Sequence, residues 1–103
     1  MVKLKFTLQT QSDLRNIHEY IALDSPTNAK RFVKELKRRS EILKKYPEIG
    51  HLVLPERFKN LRQLLHKSYR IVYHFSNDIV TIITIHHQSR LIENISVIKG
   101  YEE

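Results

Sequence analysis

The chain contains no cysteine, which excludes disulfide frameworks, thiolate zinc sites and thiol nucleophiles. It has only two glycines and three prolines, and Gly50 and Gly100 stand far apart, so no glycine-rich phosphate loop can be assembled. No serine sits in the strand–turn–helix setting of a nucleophile elbow. Long apolar runs are also missing: the longest uncharged one, residues 79–85, is far too short to cross a bilayer. The opening Met1-Val2-Lys3-Leu4-Lys5 leads into no extended apolar segment, so neither a secretory signal nor membrane attachment is expected, and the cytoplasm is the expected compartment. With 41% hydrophobic and 28% charged residues in 103, the composition is that of one globular domain spanning residues 1–103.

Positive charge is what the chain has in excess, with a formal net charge of +7. The excess is local. Residues 29–46 carry +6 and residues 51–74 carry +4, whereas the first 28 residues balance and residues 75–103 are at −2. Clustering of this kind suits an anionic partner, either nucleic acid or an acidic protein segment; the alternative is a solvated, lysine-rich helix face.

Hydrophobic periodicity sets the order of elements. Leu4, Phe6 and Leu8 alternate with polar residues as in a half-buried strand. Thr10 or Ser12-Asp13 can cap a helix with Leu14, Ile17, Tyr20 and Ile21 on one face. Ser25 or Thr27 can cap a second helix, whose apolar face is Ala29, Phe32, Val33, Leu36 and Leu43 and whose other face is basic, ending at Pro47. Residues 51–60 read as a loop. Three strands come next, near 61–65, 69–75 and 79–87, with a turn at Ser76-Asn77-Asp78. Residues 91–103 fit either a further strand or a helical turn. The expected class is α+β: an N-terminal strand, a two-helix hairpin, then an antiparallel three-stranded meander.

A three-residue loop at 76–78 would pair Phe75 with Ile79 and Arg70 with Thr84. Ile71, Tyr73, Phe75, Ile79, Ile83 and Ile85 would then lie under the helices, in a core shared with Leu14, Ile17, Phe32, Leu36 and Leu43. The opposite face would show Arg70, Val72, His74, Val80, Ile82, Thr84 and His86 as an open surface, with Arg62 beside Arg70. Neighbouring His86 and His87 point to opposite faces of a strand and have no third ligand at a suitable spacing, so no metal and no cofactor are expected. What remains is Arg62, Arg70 and Arg90 near His86 or His87, with Arg57 and Lys59 in the preceding loop. Guanidinium groups stabilise a charge-rich phosphorane and an imidazole moves protons, which would suit metal-free RNA cleavage by the 2′-hydroxyl. The alternative is that Arg70 and Arg90 form ion pairs with Glu56, Asp78 or Glu93.

Several pieces resemble the RelE/ParE superfamily, the toxins of type II toxin–antitoxin (plasmid stabilisation) modules. Asp13-Leu14-x-x-Ile17-x-x-Tyr20-Ile21 and Ser25-Pro26-x-x-Ala29-x-x-Phe32 resemble its helical hairpin. Leu43-x-x-x-Pro47-x-x-Gly50 resembles its post-hairpin signature, and Tyr69-Arg70-Ile71-Val72-Tyr73 and His87-x-x-Arg90 resemble its sheet. The resemblance implies a bacterial growth-arresting toxin that forms a hetero-oligomer with a cognate acidic antitoxin. In the RelE branch the toxin cuts mRNA in the ribosomal A site, and Arg70 and Arg90 match its two arginine positions, with His87 as the associated imidazole. The lysines of that branch fall on Leu61 and Gln63, and its C-terminal tyrosine on Ser96. The ParE branch inhibits DNA gyrase by binding, and the long hairpin, Pro47-x-x-Gly50 and His87-x-x-Arg90 resemble that branch more closely. Arg57, Lys59, Arg62, His74 and His86 are then expected to face nucleic acid or a partner. A third possibility is a toxin-derived binding module without activity.

Overall fold

The structure is a computed structural model and describes residues 2–90 together with Ile95 and Ile98. Its elements are β1 (Lys3–Phe6), α1 (Leu8–Ala22), α2 (Pro26–Glu41) with a 3₁₀ turn at Ile42–Lys44, β2 (His51–Leu52), β3 (Leu61–His66), β4 (Tyr69–Ser76) and β5 (Ile79–His87). The strands form one five-stranded sheet in the order β1-β5-β4-β3-β2. The α+β class, the helical hairpin and the antiparallel meander β3-β4-β5 are as the sequence predicts. Two strand contacts are additional: β1 lies parallel to β5, and β2, within the expected loop, pairs with β3.

The helix caps arise from local chemistry. Ser25 caps α2 through its hydroxyl, which accepts from the Asn28 N–H at 3.2 Å, and Pro26 starts the helix where its missing N–H costs nothing. At α1 the cap is Thr7, whose hydroxyl accepts from the Thr10 N–H at 3.1 Å, not Thr10 or Ser12-Asp13. Leu8, the third member of the apparent strand alternation, is the first residue of α1 and is 82% exposed. Thr10 and Asp13 are buried and join α1 to β5: the Thr10 hydroxyl donates to the Ile82 carbonyl at 2.8 Å, and Asp13 accepts from the Thr84 hydroxyl and the Ile85 N–H.

The register of the last hairpin corrects the expected parity. Asn77 and Asp78 alone form the turn, both in the left-handed region (φ 52° and 59°), so Ser76 stays in the ladder opposite Ile79. A bulge lies further along: Tyr73 pairs with Ile82 and Val72 with Thr84, leaving Ile83 as the extra residue of β5. Arg70 therefore faces His86, not Thr84. Val80, Ile82 and Ile85 join Ile71, Tyr73, Leu14, Ile17, Leu36 and Leu43 beneath the helices, with Phe75 and Phe32 at the margin.

Ile83 turns to the other face and packs with Val53, Phe58, Leu61, Val72, Ile95 and Ile98. The expected open surface is thus a second, smaller core, because residues 53–61 fold across it and Phe58 is almost wholly enclosed. The strand-or-helix alternative for 91–103 lies outside the described residues, apart from the buried Ile95 and Ile98.

Candidate functional site

Arg70, His86 and Arg90 come together at one end of the sheet. Arg70 is the second residue of β4 and faces His86 near the end of β5, so antiparallel pairing places both side chains on one face. The chain then turns back: the Gln88 N–H donates to the Ser68 carbonyl at 2.8 Å and the Arg90 N–H to that of His87 at 3.1 Å. This return brings Arg90 Nη1 to 3.2 Å from His86 Nδ1. Arg70 Nη1 donates to Gln63 Oε1 at 3.1 Å and Nη2 to the Gln88 carbonyl at 2.9 Å, while Nε is buried without a partner among the described residues. Among those residues, neither Glu56 nor Asp78 pairs with these arginines.

Burial holds the His86 imidazole below its ordinary pKa. Asp13 opposes this by favouring the cation, and Arg90 and then Arg70 add to the depression. A neutral ring with Nδ1 unprotonated is the form that accepts from Arg90. The folded protein therefore binds the His86 proton less readily than the unfolded chain. This contribution to stability is complete above about pH 6.5 and is lost as the pH falls through the folded value. Wild type is expected to lose more melting temperature between pH 7 and pH 5 than His86→Gln, read by circular dichroism.

The other expected site residues lie elsewhere. His87 points to the helix face, edge-on to Tyr69 with ring centroids 5.3 Å apart, and its Nδ1 lies 2.9 Å from the Ser89 hydroxyl. It lines an open groove of about 590 Å³ with Tyr20, Phe32, Lys67 and Tyr69, and so stands apart from the arginine pair.

Arg62 does not lie beside Arg70. It pairs with Tyr73 in the ladder, on the opposite face from Gln63 and about 10 Å further along the sheet. There Arg62 Nη1 donates to the carbonyls of Gly50 at 2.8 Å and Glu48 at 3.0 Å, and Nη2 lies 3.6 Å from the Glu48 carboxylate. The Tyr73 hydroxyl donates to the Pro47 carbonyl at 2.7 Å and accepts the Gly50 N–H at 2.9 Å. Pro47-x-x-Gly50 is thus a loop tied to β3 and β4. Burial raises the Tyr73 pKa, in spite of the Gly50 bond and Arg62, which keeps the hydroxyl protonated for its donation.

His74 sits on β4 between Leu61 and Thr81, and Arg57 and Lys59 flank the enclosed Phe58. Sequence reasoning missed Gln63, Gln88 and Asp13. Gln63 was accessible in principle, since it lies diagonal to Arg70 across the β3–β4 ladder, within reach of long side chains.

A helical hairpin over a mostly antiparallel, five-stranded sheet is the α+β fold of a RelE/ParE-like toxin. The family model described as "ParE toxin of type II toxin-antitoxin system, parDE" matches residues 4–92, and the chain belongs to that family. It is a toxin of the type II toxin–antitoxin kind, whose counterpart is an antitoxin. The fold is similar to a solved chain of the chromosomal ParDE TA system from P. aeruginosa, with a TM-score of 0.72 and 22% identity over 84% of this chain and 96% of that one. Among curated proteins none matches. Among the described residues no group of three His, Asp or Glu is placed to hold a metal ion, and no helix is long and apolar enough to cross a membrane.

Proposed function

We propose that this toxin arrests bacterial growth by binding DNA gyrase, and that a cognate acidic antitoxin neutralises it in a hetero-oligomer. The observation that carries the reading is membership of the ParE family across residues 4–92. The arrangement of Arg70 supports it: both terminal nitrogens are committed to Gln63 and Gln88, which makes the guanidinium a brace between β3, β4 and the 88–90 return. The net charge of +7 supports an acidic counterpart.

One observation favours a second reading, ribosome-dependent mRNA cleavage. Arg70, His86 and Arg90 converge, and two guanidiniums beside a neutral imidazole suit phosphorane formation by a 2′-hydroxyl. Inducible expression in bacteria separates the two. The gyrase reading expects induction of the DNA damage response before translation falls, with growth arrest retained in Arg70→Ala and Arg90→Ala proteins that fold. Immediate translation arrest with cleaved mRNA, lost in both variants, would overturn it, because removal of one transition-state phosphate contact costs roughly a hundredfold in rate.

A further inference from the structure

We propose that the solvent face of α2 binds the phosphate backbone of duplex DNA. Lys30, Arg31, Lys34, Lys37 and Arg38 are all exposed on this helix. At 3.6 residues per turn they fall within an arc of about 120° and, at 1.5 Å per residue, within about 12 Å of helix axis. None of the five is ion-paired among the described residues. The two acids of the helix are engaged elsewhere: Glu35 by Lys67 at 3.0 Å and by the His66 ring at 3.4 Å, and Glu41 by Lys44 at 3.0 Å. Lys30, Arg31 and Lys34 line one shallow depression, and Lys37 lines another with Arg15 of α1, which extends the cationic surface onto the neighbouring helix. Lys30, Lys34 and Arg38 are like charges at successive i, i+4 positions, an arrangement that destabilises a helix in the absence of an anion.

The chemistry of the face selects the partner. The other exposed positions of α2 are Pro26, Thr27, Asn28 and Glu41, so the face offers no aromatic or large apolar side chain. Protein partners build the centre of an interface from such residues, and single strands stack their bases on aromatic rings. Duplex RNA is held largely through 2′-hydroxyls, which cations alone do not single out. A row of exposed lysines and arginines, with the apolar side chains beside them (Phe32, Val33 and, on α1, Leu14) at least half-buried, suits the sequence-independent counterion-release binding of B-form DNA. This inference does not rest on the gyrase reading.

The test uses the full chain and a fluorescein-labelled DNA duplex of about 20 base pairs, read by anisotropy between roughly 50 and 200 mM salt. Wild type is expected to bind with a steep salt dependence. The variant Lys30→Gln/Lys34→Gln/Lys37→Gln/Arg38→Gln is expected to bind more than tenfold more weakly, with its log–log salt slope reduced by about 0.9 per lost contact, and Lys34→Gln alone to lose about 0.9. Lys3→Gln/Lys5→Gln, on the outer strand β1, is expected to stay within about twofold of wild type. The fourfold variant is expected to melt no lower than wild type, since like-charge repulsion is relieved. An unchanged salt slope in both α2 variants would overturn the proposal. So would tighter binding of a single strand, an RNA duplex or a poly-glutamate peptide than of the DNA duplex.

Discussion

Replacing Asp13 with Ala is expected to lower the unfolding free energy by about 3 kcal/mol, because it strips two buried donors of their acceptor at once. β1 ends at Phe6, opposite Ile82, so the outer edge of β5 beyond that point has no neighbouring strand. The N-terminus of α1 takes the strand's place. Thr7 donates from its N–H to the Ile82 carbonyl at 3.2 Å and from its hydroxyl to that of Ile83 at 3.1 Å, and Thr10 adds its own bond to Ile82. Asp13 Oδ2 then accepts from the Thr84 hydroxyl at 2.6 Å and the Ile85 N–H at 3.1 Å, while Oδ1 accepts from Gln9 at 2.9 Å. These bonds are charge-assisted and only 6% of the residue is exposed, so water cannot replace them. At about 4–8 °C per kcal/mol for a domain of this size, the melting temperature should fall by roughly 12–24 °C. Asp13→Asn, which keeps one acceptor oxygen, should lose less. An Asp13→Ala protein within about 1 kcal/mol of wild type by chemical denaturation would mean that α1 does not serve as the edge of the sheet.

Gly50→Ala is expected to cost a similar amount, about 3 kcal/mol, through steric overlap. A Cβ at this position would lie 2.7 Å from the Tyr73 hydroxyl, 2.8 Å from Tyr73 Cε1 and 2.8 Å from the Gln63 carbonyl oxygen. The last is backbone in β3, and Tyr73 is fully enclosed in the main core, so neither neighbour can yield. Relief requires the 47–50 loop to leave β3, which would release the Tyr73 bonds to Pro47 and Gly50 and both Arg62 bonds. Tyr73→Phe, which leaves the Pro47 carbonyl and the Gly50 N–H unpaired but makes no clash, should cost less, about 1–2 kcal/mol. The order of the two losses in denaturant melts is the check. A Gly50→Ala loss smaller than that of Tyr73→Phe would show that the loop is not packed as described.

These two positions illustrate what the sequence carries and what it does not. The helical hairpin is legible because Leu14, Ile17, Leu36 and Leu43 recur at helical spacing, and Ser25-Pro26 is a strong helix start. The meander is legible from its alternation of apolar runs and turn residues. The register is not. It depends on a two-residue turn, which left-handed Asn77 and Asp78 permit, and on a bulge at Ile83. Both faces of β5 are buried, one under the helices and one under Phe58, so Ile82, Ile83 and Ile85 show no polar contrast that would mark the bulge. Each one-residue shift exchanges the faces. The turn shift brings Val80 and Ile82 under the helices and sends Ile83 to the second core. The bulge then restores the expected faces from Thr84 onward, so His86 keeps its face and becomes the direct partner of Arg70, where the resemblance to RelE suggested His87.

Arg62 was legible as a basic strand residue but not as a partner of Glu48 and Gly50, since its face is set by the β3 register. The parallel pairing of β1 with β5 joins the two ends of the described chain, and local sequence carries no sign of it.

The most direct test of the central claim is a supercoiling assay with purified gyrase, relaxed plasmid and increasing amounts of the toxin, run beside ribosomes carrying mRNA. Supercoiling is expected to stop at toxin levels comparable to the gyrase concentration, the acidic antitoxin to restore it, and the mRNA to stay intact. Normal supercoiling in a large excess of folded toxin, with mRNA cut on the ribosome, would contradict it.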